Sequence, residues 1–139
     1  MDKFLSIPNK TEFFSEIIIN KSRFLGFAKH VETQTEAEDF LDNLKKKYPD
    51  STHICYAYKL TNSAKMSDDG EPSGTAGRPI LSVIEQKNLC NIIVAVVRYF
   101  GGIKLGTGGL MRAYVNVAVD VLDKTKIVSW EKCVQVSIR

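Results

Sequence analysis

Apolar positions along the chain recur at two spacings. Phe13 to Ile19 and Ser22 to Val31 are runs of β-branched and aromatic residues separated by Asn20-Lys21, which predicts two strands joined by a tight hairpin turn. Thr35-Glu36-Ala37-Glu38 has capping-box spacing, and Ala37, Phe40, Leu41, Leu44 and Tyr48 then recur at three and four, predicting a helix that stops at Pro49. Thr52 to Leu60 alternates, with Ile54, Tyr56, Tyr58 and Leu60 on one face and His53, Cys55, Ala57 and Lys59 on the other, as in a third strand. Thr61 to Thr75 is polar and turn-rich. Pro79 suits the first turn of a short helix that carries Ile80, Leu81 and Ile84 and ends near Lys87. Ile92 to Val97 is apolar without alternation, the pattern of a strand covered on both faces, and Arg98 emerges at its end. Leu110, Tyr114, Val117, Ala118 and Val121 form a helical stripe, after which Val128, Trp130, Val134, Val136 and Ile138 alternate to the end as one more strand. This order predicts the α+β class, a two-layer β-α sandwich with its sheet covered by helices.

Composition narrows the setting. A chain of 139 residues is long enough for one domain with a single core. With 44% hydrophobic and 25% charged residues and no apolar run of membrane-spanning length, an integral membrane protein is not expected. The N-terminal stretch lacks the apolar core of a signal peptide, so the expected location is cytoplasmic. Cys55, Cys90 and Cys133 are widely spaced and form no CxxC, which predicts unpaired thiols and no zinc site. A formal net charge of +3 permits binding to a polyanion without demanding it.

Eight of the nine glycines lie between Ser67 and Leu122, in two turns that each lead into a helix. Glycine loses more chain entropy on folding than any other residue, so this concentration marks places where backbone is closely approached. The stretch Gly101, Gly102, Gly106, Thr107, Gly108 and Gly109 precedes a helix start, where free amides and the helix dipole favour an anion. Arg98, Lys104 and Arg112 flank it as exposed cations, and Arg78 joins them if the turns Gly74 to Arg78 and Gly101 to Gly109 lie side by side, as expected. No nucleotide signature is present: Gly101 and Gly106 have Walker spacing but no lysine follows, and Met111 stands where the dinucleotide fingerprint needs glycine. The alternative is a tight turn whose glycines only let strand and helix pack.

The other loop carries Asp68, Asp69, Glu71, Ser73, Gly74 and Thr75. Its carboxylates can hold magnesium or act as acid and base, or they can form turns, cap a helix and pair with Arg78, Arg98 or Lys104. Ser73 lacks the Gly-x-Ser-x-Gly setting of a nucleophile. His53 and Cys55 share a strand face as a potential base and thiol, although nothing nearby in sequence would lower the thiol pKa. Tyr56, Tyr58, Tyr99 and Phe100 can stack on bases if exposed, but their setting favours the core.

Lys21-Ser22-Arg23-Phe24, His53-x-Cys55-x-Ala57-Tyr58, the run Ser67 to Pro79 (SDDGEPSGTAGRP) and the run Val97 to Leu110 (VRYFGGIKLGTGGL) resemble the IMPACT/YigZ family over about Phe13 to Leu122. The resemblance implies an N-terminal IMPACT domain over 1–125, similar to domain IV of elongation factor G and ribosomal-protein domain 2. Residues 126–139 then resemble the first strand of a ferredoxin-like second domain. The family's eukaryotic members inhibit activation of the kinase that phosphorylates translation initiation factor 2, by competing for its activator. The resemblance supplies no catalytic residues, metal or cofactor. The preferred expectation is a non-catalytic, translation-associated regulator that binds RNA, the ribosome or a translation factor through the glycine-rich basic loop. The alternative is an enzyme in which Asp68, Asp69 and Glu71 act on a phosphorylated substrate.

Overall fold

The computed structural model describes residues 3–9, 11–125, 128–131 and 135–136. In chain order the elements are β1 (Lys3–Ser6), β2 (Glu12–Ile19), β3 (Ser22–His30), α1 (Gln34–Lys47), β4 (His53–Lys59), β5 (Ala64–Ser67), α2 (Gly77–Gln86), β6 (Ile92–Tyr99), α3 (Gly106–Asp123), β7 (Val128–Glu131) and β8 (Gln135–Val136). The main sheet is antiparallel in the order β2-β3-β6-β4-β5.

The central place of β6 explains its unbroken apolar run. Ile92 to Val97 are all 0% exposed, and their side chains divide between two cores. Ile92, Val94 and Val96 pack with Ile80 and Ile84 of α2 and with Tyr114, Val117 and Val121 of α3. Ile93, Ala95 and Val97 face the other way, into a core completed by Ala37, Phe40, Leu41 and Leu44 of α1. The α+β class is as the pattern predicts, and α1 adds a layer on the second face of the sheet.

Local chemistry accounts for the joints. Asn20 and Lys21 have φ of 48° and 68°, the left-handed pair that a two-residue hairpin requires to match strand twist. The cap of α1 falls at Thr33, not Thr35: Thr33 is still extended, and its hydroxyl accepts from the Glu36 amide at 3.1 Å. Glu36 reaches back to the Glu32 amide at 3.0 Å, so the box sits two residues earlier than expected.

Three further differences have physical causes. β5 lies inside the stretch expected to be loop; Ala64, Lys65 and Met66 are all exposed at the sheet edge, so no buried face leaves a period in the sequence. β1 was not predicted, and it pairs with β7 in a separate three-stranded sheet β1-β7-β8. The terminal alternation is folded back as β7 and β8, with Ser129 opposite Val136. Val134 and Ile138, expected in that strand, lie outside the described residues. Among the described residues no helix is long and apolar enough to cross a membrane.

Candidate functional site

The loop between β5 and α2 is organised by one carboxylate. Asp68 Oδ2 accepts from the Gly74 amide at 2.9 Å, and Oδ1 accepts from Ala76 and Gly77 at 3.1 and 2.8 Å. These are donors that the start of α2 would otherwise leave without partners. Burial pushes the Asp68 carboxyl up, but the Gly74, Gly77 and Ala76 amides outweigh it and hold the group below its ordinary value. Asp69 ties the loop to β4: its Oδ2 accepts from the Ile54 amide at 2.6 Å, and its carbonyl accepts from His53 Nδ1 at 2.7 Å. A carbonyl only accepts, so Nδ1 is the donor in the His53 bond.

Glu71 turns inward. Its side chain is 3% exposed, and both its oxygens accept from Arg98 Nη1, at 2.9 and 2.8 Å. The Tyr114 hydroxyl donates to Glu71 Oε2 at 2.5 Å, and His53 Nε2 lies 3.4 Å from Oε1. Arg98 also donates to the Ser22 hydroxyl at 3.2 Å and lies over the rings of Phe24 and Phe100, 5.3 and 5.5 Å from their centroids. Arg98 is 4% exposed, which corrects the expectation of a surface cation. It emerges from β6 into the space beneath the loops, where an unpaired charge would be costly and Glu71 balances it.

Cys55 shares this interior. Its sulfur lies 3.1 Å from the Asp68 carbonyl and 3.4 Å from the Tyr114 hydroxyl. Burial, opposed by the Tyr114 hydrogen bond, pushes the thiol far above its ordinary value, and burial likewise raises the Tyr114 phenol. Cys55 therefore lacks the thiolate character of a nucleophile, and both His53 nitrogens already face protein oxygens. Cys55 and Cys90 are free thiols, and Cys133 lies outside the described residues.

The second loop is built differently. Gly101 passes so close to the β2–β3 turn that a Cβ on it would stand 2.1 Å from the Lys21 carbonyl carbon, so only glycine fits. Its amide donates to the Ser22 hydroxyl at 3.1 Å. α3 begins at Gly106, earlier than the stripe from Leu110 indicates, so Gly106, Thr107, Gly108 and Gly109 form its first turn. No side chain caps this helix. Beside it opens a cavity of about 420 Å³. Lys104, Gly106 and Thr107 line one side, Glu71, Pro72 and His53 another, and Phe100, Leu105 and Leu110 give it apolar wall.

The two glycine loops meet, but at Gly70, Glu71 and Pro72 on the first, not at Gly74 to Arg78. Of the residues singled out in sequence, His53, Glu71, Arg98, Phe100, Lys104, Gly106 and Thr107 line the cavity. Asp68, Asp69, Ser73, Gly74, Thr75 and Arg78 stand outside it, as do Gly101, Gly102 and Gly108. Gly109 and Arg112 line a smaller neighbouring cleft with Asn20 and Asn116. Phe100, assigned to the core by pattern, is 46% exposed at the cavity. Its signal in sequence is position: it follows the last β6 residue and precedes two glycines, so no core pairs with it. Among the described residues no cluster of three or more His, Cys, Asp or Glu could hold a metal ion.

Comparison with known proteins gives a consistent family. The model of the Impact N-terminal domain matches residues 20–122. The chain is similar to "IMPACT family member YvyE" of Bacillus subtilis, 49% identical over 102 residues that cover 71% of this chain and 47% of that protein. A crystal structure described as a hypothetical protein matches with TM-score 0.88 and 32% identity, covering 94% of this chain and 65% of that one. The structure of the two-domain translational regulator Yih1 matches with TM-score 0.52 and 28% identity, over 84% of this chain and 48% of Yih1. The chain spans about half the length of the curated relatives it matches.

Proposed function

This chain belongs to the IMPACT family through its N-terminal domain, and we propose that it is a non-catalytic module of translational regulation that binds RNA phosphate at the start of α3. The observation that carries the reading is the first turn of α3: it has no side-chain cap, and it opens with Thr107 and Lys104 onto the cavity. Exposed amides at a helix start bear partial positive charge and attract an anion. The likeness to Yih1, described as a translational regulator, supports the setting. The carboxylates of the enzyme alternative are otherwise engaged: Asp68 by three amides, Asp69 by the Ile54 amide, and Glu71 by Arg98 and Tyr114.

With Arg98 neutralised by Glu71, Lys104 is the remaining cation on the cavity, so only one or two phosphates are engaged. A fluorescent single-stranded RNA and purified ribosomes, each titrated across a salt series, test this with the wild type and Lys104→Ala. The variant should bind more weakly and lower the log–log salt slope by about 0.7 for the single strand. Its thermal stability should be unchanged within about 0.5 kcal/mol, because Lys104 is exposed. Equal affinity and equal slope in the two proteins would overturn the reading.

A further inference from the structure

The cavity is unlike a pure phosphate cradle, because its opening is edged by an aromatic ring. Phe100 is 46% exposed and lines the cavity, and Ile103 and Met111, 43% and 45% exposed, lie in the same loop and first turns of α3. Half of the six large hydrophobics exposed among the described residues therefore fall within twelve residues of one another. Phe100 is also held in place. Its amide donates to Thr52 Oγ1 at 2.9 Å, and the Arg98 guanidinium sits over its ring. Arg98 also lines the cavity, at 4% exposure; its Nε–H is fully buried and has no acceptor among the described residues.

A fixed, exposed aromatic face beside a cationic helix start suits a ligand with a flat apolar part and an attached anion. We infer that the cavity takes one unpaired nucleotide of RNA, its base against Phe100 and its phosphate on the α3 amides and Lys104. The inference rests on the phosphate reading above and adds the base. A volume of about 420 Å³ falls at the small end of ligand pockets, near 300–1,000 Å³, and suits a single nucleotide. Bases in a duplex are stacked and closed to such a ring, so the site selects loops, bulges and single strands.

Fluorescence anisotropy on the full chain tests this with a labelled single-stranded RNA, a duplex of the same sequence, and the single strand carrying an abasic position. AMP serves as a competitor. The single strand should bind more tightly than the duplex. Phe100→Leu, which keeps an apolar side chain but no aromatic face, should weaken single-strand binding on the order of 5- to 150-fold and leave the salt slope intact. Phe100→Trp should restore the affinity, which separates stacking from any loss of fold. If the duplex binds as tightly and Phe100→Leu changes nothing, while Lys104→Ala still lowers the salt slope, the base contact is wrong and the phosphate reading stands. If no RNA binds, both fall and a protein partner takes their place. AMP that binds as tightly as the oligonucleotide would overturn RNA as the source of the nucleotide.

Discussion

The two glycine-rich loops use the same vocabulary to opposite ends. Each contains a left-handed glycine, Gly74 in one and Gly102 in the other, and each delivers the chain into a helix. Before α2 the amides are taken by Asp68, which lies six, eight and nine residues upstream of its three donors. Before α3 no such residue is available, since the sequence from Gln86 to Val119 contains no Asp or Glu. The first loop is closed by a carboxylate, whereas the first turn of α3, which we propose as the phosphate site, has no side-chain cap.

The largest expected effect lies where the two loops join. Arg98 belongs to the strand leading into the second loop, and Glu71 to the first. Arg98→Ala leaves the Glu71 carboxylate buried without its partner, which should cost about 3–5 kcal/mol in a urea denaturation. Lys104→Ala, six residues on, should be nearly neutral in the same assay. A loss below 1 kcal/mol for Arg98→Ala would mean that the pair does not clamp the loops.

The next effect separates the loops. Asp68→Ala strips three amides of their acceptor and should destabilise the fold by about 1–2 kcal/mol, the cost of losing a helix cap. The sign with pH follows from the lowered carboxyl value. A group whose folded pKa lies below its unfolded value, about 3.9 for Asp, contributes stability above about pH 4 that is lost as pH falls through the folded value. Acid unfolding of Asp68→Ala should therefore show a shallower loss below pH 4 than the wild type. Identical acid limbs would remove Asp68 as the closing anion.

Much of this contrast is visible in the residues, and part of it is not. The apolar stripes of α1 and α3, the strand that became β6 and the Asn20-Lys21 turn are legible because each buries a periodic face or needs a particular backbone. The pairing of Asp68 with Gly74, Ala76 and Gly77 is local, so a capping role could be entertained from sequence. Arg98 reads as a surface cation in sequence because its partner Glu71 lies 27 residues away in a loop, and nothing in a linear pattern brings them together. β5 and Phe100 escape the pattern for a different reason: both are exposed, and periodicity records only what is buried.

The smallest effect on stability carries the sharpest test of the comparison, because it converts the second loop into the first. Gly108 is exposed in the opening turn of α3, and a Cβ placed there would meet only the Arg112 guanidinium, at 3.7 Å. A side chain therefore fits, unlike at Gly101. Gly108→Glu sets a carboxylate beside the uncapped amides and four residues before Arg112, where the helix dipole contributes about 0.3–1 kcal/mol and an i,i+4 ion pair about 0.2–0.5 kcal/mol. Gly108→Gln removes the same backbone freedom without charge and serves as the reference. The glutamate variant should be more stable than the glutamine variant by about 0.5–1.5 kcal/mol and should bind single-stranded RNA more weakly, since its own carboxylate competes for the helix start. Should both variants bind RNA as the wild type does, the amides of α3 are not the phosphate site, and the contrast between the loops is structural only.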